Sequence, residues 1–449
     1  VGRINEQELR QLDASNYSAT SHIGKVGVEK SYESLLHGQV GFQQVETNAR
    51  GRILRVLERQ PPVPGRDLYL NVDVNLQRVA EDAFGGERGA LVALDPNNGA
   101  VLAMVSMPSY DPNLFVDGIN AKDYHRLSTS RDRPLFNRAV RGQYPPGSTV
   151  KPFVGLAGLE LGDISAIDKT FCPGWFKLKG DDHRYRGWKK SGHGWVDVHR
   201  AIVESCDVFF YNLAQTLGID RLSRYMKLFG FGRATGIDLQ GEASGLMPSR
   251  EWKRRARHQP WFPGETLIAG IGQGFVLATP LQLAANVGAL SMRGERMQPR
   301  LLKAWRDPLG GQVTREKAKP LTPVPVAKPS HWDQIISAME QVVHSPHGTA
   351  RRIGWGLKYH AAGKTGTAQV FGIEQGEEYV EEDVAKRLRD HALFITFAPV
   401  ENPQIAVAVI VENGGSGGAV AAPIARDVMN AYLLGPKGRL AQMEKEHAG

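Results

Sequence analysis

An α+β fold follows from three observations along the 449 residues. A hairpin signal comes early, helical periodicity dominates the middle, and alternating Val and Ile return near the end. Strands spaced this widely, without regular strand–helix alternation, predict one antiparallel sheet with helices packed around it.

Residues 1–60 are polar and mixed, with a short helical patch from Ser31 to Leu36, and read as an accessory module. Gln60-Pro61-Pro62-Val63-Pro64-Gly65 is a linker by composition. The second unit spans 61–435. It opens with an alternating strand, Asp67 to Val72, and an amphipathic helix from Asn75 to Ala83. Gly89–Leu94 and Val101–Val105, joined through Asp95-Pro96-Asn97-Asn98-Gly99, form the hairpin. Helix is predicted from Ser148 to about Leu228, broken by a polar stretch between Lys177 and His193, and again from Thr279 to Leu290. His360–Val370, Leu393–Ala398 and Ile405–Val411 read as strands, and Pro423–Leu434 as a last helix. The polar tail 436–449 is expected to be mobile.

The net charge of +8 suits an anionic neighbour such as a lipid surface or cell-wall polymer, or simply a soluble basic surface. No zinc-finger, helix-turn-helix or RRM pattern supports nucleic acid as a partner. There is no run of 18 apolar residues and no signal peptide, and Val1 is not an initiator methionine, so a fragment or processed form is expected. Arg250–His258, with Trp261, reads as a solvated loop or helix face and is assigned no function.

The chemistry centres on Tyr144-Pro145-Pro146-Gly147-Ser148-Thr149-Val150-Lys151-Pro152-Phe153. The prolines and glycine enforce a non-helical approach, so Ser148 sits where a helix begins and Lys151 one turn on, on the same face. A serine hydroxyl needs a base to become a nucleophile, and a neutral lysine can serve. Free N–H groups at the helix start favour the developing negative charge.

Two further elements belong with S-x-x-K in one order, S-x-[ND] and then K-[ST]-G. Lys190-Ser191-Gly192 lies in the polar stretch without a strand pattern, whereas Lys364-Thr365-Gly366-Thr367 leads into an extended segment and is preferred. On a strand edge, Gly366 would let a substrate backbone approach, and Thr367 N–H with Ser148 N–H would form an oxyanion hole. Thr365 and Lys364 would hold a substrate carboxylate. Of three S-x-[ND] candidates, only Ser205-Cys206-Asp207 falls between Ser148 and Lys364. There Ser205 would relay a proton from Lys151 to the leaving amine. Asp207 stands where an asparagine is usual; an ionised carboxylate accepts but cannot donate hydrogen bonds, and favours a protonated lysine.

With these surroundings, and with Ser109–Phe115, Gly270-Ile271-Gly272-Gln273-Gly274, Ala278-Thr279-Pro280 and Gly363–Gly372, the sequence resembles bacterial class B penicillin-binding proteins of the elongation type over most of residues 20–435. Aspartate at position 207 looks like that subgroup's own variant. The resemblance implies a penicillin-binding, serine β-lactamase-like transpeptidase fold, residues 1–60 being the remnant of a non-catalytic pedestal or dimerisation module. It implies D,D-transpeptidation of peptidoglycan stem peptides, with Ser148 acylated by substrate or β-lactam and Lys151, Ser205 and Lys364 as its catalytic partners. Asp207, Thr365, Gly366 and Thr367 would bind substrate. It further implies a SEDS-type glycan polymerase and the rod-shape scaffold as partners, an N-terminal anchor in the bacterial inner membrane, and a periplasmic catalytic domain. The alternatives are a D,D-carboxypeptidase or β-lactamase, and a catalytically silent scaffold or β-lactam sensor.

Catalysis of this kind needs no cofactor. In the periplasm the resemblance implies, Cys172 and Cys206 would pair as a disulfide. Both thiols with His193 also make a zinc set that needs one more ligand. The resemblance also implies that some relatives of the elongation type hold a structural zinc here, with acidic, histidine and cysteine ligands. Cys172 stands where they have one acid and Gly187 where they have another, leaving Asp181, Asp182 or His183 as substitutes. Zinc and no metal both remain open.

Overall fold

The computed structural model describes residues 1–17, 20–370 and 385–435. Phe371 and Gly372 and the tail 436–449, both invoked above, lie outside the described residues. The early hairpin and the late strands join in one five-stranded sheet. Its strands are β1 (Gly89–Leu94), β2 (Val101–Met107), β3 (Ala362–Ala368), β4 (His391–Ala398) and β5 (Ile405–Val411). The order is β3-β4-β5-β1-β2, antiparallel throughout.

Every residue of β1 and β5 is buried, so both faces of the sheet are covered, which is why these strands read as continuous apolar runs. Helix α8 (Pro280–Ser291) packs across β5, β1 and β4. Helices α1 (Val74–Ala83) and α10 (Ala422–Leu434) pack on each other and cover β2 and β5. Beside the sheet lies a helical lobe of α2 (Lys151–Glu160), α3 (Val198–Val203), α4 (Asp207–Leu217), α5 (Ile219–Phe229), α7 (Pro263–Gly270) and α9 (Pro329–His344). Helix α2 is apolar all round and buried from Lys151 to Leu159, as a central helix must be. Helix α6 (Arg250–Arg257) flanks this lobe.

Several elements differ from the sequence reading. The 31–36 patch is two short helices, Gly27–Ser31 and Glu33–Leu36, and the strand from Asp67 stops at Leu70. An unforeseen hairpin, Phe42–Thr47 with Ile53–Gln60, closes the N-terminal module; its side chains are mostly exposed, so no clean alternation marks it. The polar stretch holds short strand pairs, Trp175–Lys177 with Arg184–Arg186, next to Thr170–Cys172 with Gly194–Val196. Three-residue strands give too little period to detect. Helix α9 also escaped the sequence reading.

Candidate active site

The site forms where three segments meet: the turn before α2, the turn before α4, and the open edge of β3. Ser148 lies in a 3-10 turn, Gly147–Val150, that runs directly into α2. Pro145 and Pro146 keep the helix from starting earlier. Gly147 takes φ +53°, and a side chain there would come within 2.5 Å of Thr367 O. Its N–H donates to Gly272 O at 2.9 Å. The serine turn is therefore clamped between β3 and the Gly272 loop. Ser148 is half-buried, and among the described residues its hydroxyl has no hydrogen-bond partner.

Lys151, one turn on, is fully buried. Its Nζ donates to Asp207 Oδ1 at 2.6 Å, Ser205 O at 2.9 Å and Ser205 Oγ at 3.2 Å. Lys364 is equally buried and donates to Ser205 Oγ at 2.9 Å and Thr365 O at 3.0 Å. Two lysine nitrogens thus converge on one hydroxyl, which accepts from both and can donate back only to a lysine that is neutral. Burial, and then the Lys151 charge, hold Lys364 well below the ordinary lysine range, with Asp207 opposing.

Ser205 adopts φ +57°, a left-handed conformation uncommon for serine and characteristic of functional turns. Trp188 supports it: the indole Nε1–H is shared between Glu204 O and Ser205 O, both at 3.1 Å. Trp188 N–H donates to Asp207 Oδ2 at 3.0 Å. Asp207 thus bridges Lys151 to the Trp188 loop at the first position of α4.

Strand β3 is an edge strand, so alternate residues present backbone groups outward. Thr367 O accepts from Gln273 Nε2 at 2.9 Å on that open side, where Thr367 N–H also points, and Thr367 is exposed. Thr365 Oγ1 pairs with Thr349 Oγ1 at 2.7 Å. Two expectations need correcting. A side chain at Gly366 would meet Thr149 Cγ2 at 2.8 Å and Pro146 O at 3.0 Å, so this glycine lets β3 approach the serine turn and is not open to a substrate backbone. The second is the carboxylate contact read for Lys364, whose buried Nζ turns instead to Ser205 Oγ and Thr365 O.

Cys172, His193 and Cys206 come together behind Ser205, all buried, with potential ligand atoms within 4.8 Å of one another. Cys172 Sγ lies 3.4 Å from His193 Nδ1, and His193 Nε2 has no hydrogen-bond partner among the described residues. Both cysteines are free thiols, so the expected disulfide is not formed. Burial pushes the Cys206 thiol up to about 12 and draws the His193 imidazole down. Asp181, Asp182 and His183 do not join the cluster, and Gly187 brings no donor, its N–H being bonded to Gly174 O at 2.8 Å. The donor types and burial suit zinc, and the set is one protein ligand short of a closed site.

Residues that the sequence reading left without a role also hold the site. Glu412 accepts from Arg138 Nε at 2.9 Å and from Tyr144 Oη at 2.8 Å, fixing the approach to Ser148. Gln273 and Thr349 brace β3, and Trp188 braces Ser205. Gln273 belongs to the Gly270–Gly274 motif, the one local signal among them.

Comparison with known proteins agrees with this geometry. The penicillin binding protein transpeptidase domain matches residues 89–430, and the penicillin-binding protein dimerisation domain matches residues 1–70. The chain is 48% identical over 442 residues to the peptidoglycan D,D-transpeptidase MrdA of Acinetobacter baumannii, covering 97% of this chain and 64% of that protein. Pseudomonas aeruginosa PBP2, solved in complex with WCK 5153, superposes with a TM-score of 0.85 at 51% identity, covering 97% of this chain and 88% of that one. Helicobacter pylori PBP2, solved in complex with MreC, gives a TM-score of 0.86 at 33% identity, covering 97% and 76%. With a catalytic lobe matched from its first sheet strand to its last helix, the chain belongs to the penicillin-binding protein transpeptidase family.

Proposed function

We propose that this chain is a serine D,D-transpeptidase that cross-links peptidoglycan stem peptides and is a target of β-lactams. The observation that carries the reading is the convergence of Lys151 and Lys364 on Ser205 Oγ beside the Ser148 turn. Ser148 Oγ attacks the penultimate D-Ala carbonyl, and its proton passes to Lys151, which acts as the neutral amine. The oxyanion forms against Ser148 N–H and Thr367 N–H. Ser205 then passes the proton from Lys151 to the departing D-Ala amine, and Lys364 keeps the serine hydroxyl polarised throughout. An acceptor amine from a neighbouring strand reverses the sequence and leaves the cross-link. The edge of β3 would hold the extended donor peptide by strand addition.

The test is intact mass before and after incubation with a penicillin, beside Ser148→Ala, followed by a donor-peptide assay with and without an acceptor amine. A lasting adduct on the parent alone, and transfer product with the amine, are expected. Drug hydrolysis without an adduct, or free D-Ala with no transfer product, would replace the proposal by a hydrolase. No reaction at all would leave a scaffold or sensor.

Inner-membrane anchoring, a periplasmic site and association with a rod-shape scaffold and a SEDS-type polymerase complete the reading. Association with other proteins is supported by a family member solved in complex with MreC and by a related chain solved in a peptidoglycan synthase complex. Among the described residues no helix is long and apolar enough to cross a membrane. Zinc at Cys172, His193 and Cys206 is a separate proposal, supported by three buried ligand groups of the right chemistry. Metal analysis of chelator-free protein should give one equivalent with both thiols unreactive; well under one equivalent with a Cys172–Cys206 disulfide would refute it.

A further inference from the structure

Helix α6 is not a uniformly solvated face, as its sequence suggested. Its cations divide by direction. Lys253 turns inward, is 1% exposed, pairs with Glu265 and lies 4.4 Å from the Phe262 ring centroid. Arg255 pairs with Glu251 on the same helix at 2.6 Å. Arg250 and Arg254, one turn apart, line a cleft of about 620 Å³ between α6 and α5. Across it, Arg224 and Lys227 line the facing wall of α5, also one turn apart.

Two cationic pairs that face each other repel, and i,i+4 like-charge pairs already cost stability on a single helix. The compensation present is small. Asp220 accepts from Arg250 N–H at 3.2 Å and lies 3.5 Å from its Nε, and Glu251 is engaged by Arg255. No carboxylate among the described residues pairs with Arg224, Lys227 or Arg254. Ser223 also lines the cleft, is 2% exposed, and its hydroxyl has no hydrogen-bond partner among the described residues. The first turn of α6, with Ser249 as its cap, opens onto the same space and adds the positive end of a helix.

We propose that this cleft binds a phosphate group, with Arg224, Lys227 and Arg254 as its charge partners. Arginine forks match phosphate oxygens bidentately, and Lys227 adds a point charge. The phosphate could belong to a soluble pyrophosphate or to an anionic phospholipid headgroup, and the net charge of +8 would steer either toward the chain.

The experiment titrates the chain, in phosphate-free and sulfate-free buffer, with inorganic pyrophosphate by calorimetry. In parallel, it is co-sedimented with vesicles of phosphatidylcholine, with and without phosphatidylglycerol. Saturable binding of pyrophosphate identifies a soluble source; binding confined to phosphatidylglycerol vesicles identifies the headgroup. In either case R224E/R254E should weaken binding about tenfold or more, and added salt should weaken the parent. The reversal relieves repulsion and should not lower the thermal midpoint; R224Q/R254Q replaces it should the reversal fail to fold. No binding to either probe at millimolar concentration, or equal binding by parent and variant, would overturn the assignment.

Discussion

Replacing Lys364 by methionine separates what this lysine does for chemistry from what it costs the fold. The fully buried side chain makes two hydrogen bonds, to Ser205 Oγ at 2.9 Å and Thr365 O at 3.0 Å. Their loss is worth about 1–3 kcal/mol together. Methionine has nearly the same length, so the cavity penalty is small. Against the loss stands the proton. The unfolded chain carries it up to the ordinary value of 10.5, whereas the native state, with Lys364 held well below that by burial, gives it up at lower pH. Between those two values the unfolded state binds more protons, so parent stability rises with pH. K364M lacks this term. The variant should therefore match or exceed the parent in stability near pH 7, and its lead should vanish as pH nears 10.5. Urea unfolding at several pH values reads this directly. Acylation by a fluorescent penicillin should meanwhile fall about 10²–10⁴-fold, the usual worth of a positioned proton-transfer group. A variant less stable than its parent by more than about 3 kcal/mol at every pH would show that Lys364 stabilises the fold as a cation, and the reasoning would fail.

Two further outcomes follow from the same geometry. Lys151→Arg keeps the charge but stays protonated, so acylation should be lost while the fold survives; normal acylation would rule out Lys151 as base. Trp188→Ala removes the indole donor shared by Glu204 O and Ser205 O, exposing a left-handed serine to relaxation. It should slow acylation by about tenfold or more with a smaller effect on the thermal midpoint, and equal acylation rates would show that Ser205 holds its conformation unaided.

What the sequence made legible was local. Pro145, Pro146 and Gly147 marked the start of α2, and the extended segment after Lys364 marked a strand, because each signal acts within one turn or one pleat. The contacts that complete the site are remote. Gln273 reaches Thr367, and Arg138 and Tyr144 reach Glu412 in the turn after β5, across distances in sequence that no periodicity records. Lys253 shows the same limit from the other side. It sits in a run of arginines that it resembles in every local respect, yet it alone is buried, because Glu265 and Phe262 arrive from α7 and the turn before it. Gly366 misled for a related reason: the motif required a glycine, and only the packed turn at Pro146 and Thr149 shows what occupies the space.

Ser205-Cys206-Asp207 explains why the middle letter of a three-residue motif matters here. The three side chains leave the chain in three directions: Ser205 to the two lysines, Asp207 to Lys151 and Trp188, and Cys206 into the pocket with Cys172 and His193. A left-handed serine persists only where its surroundings over-determine it. Helix α4 fixes it from one side, the Trp188 indole from another, and the buried Cys206 from behind. The thiol pocket and the contacts of Ser205 with both lysines therefore share one backbone turn.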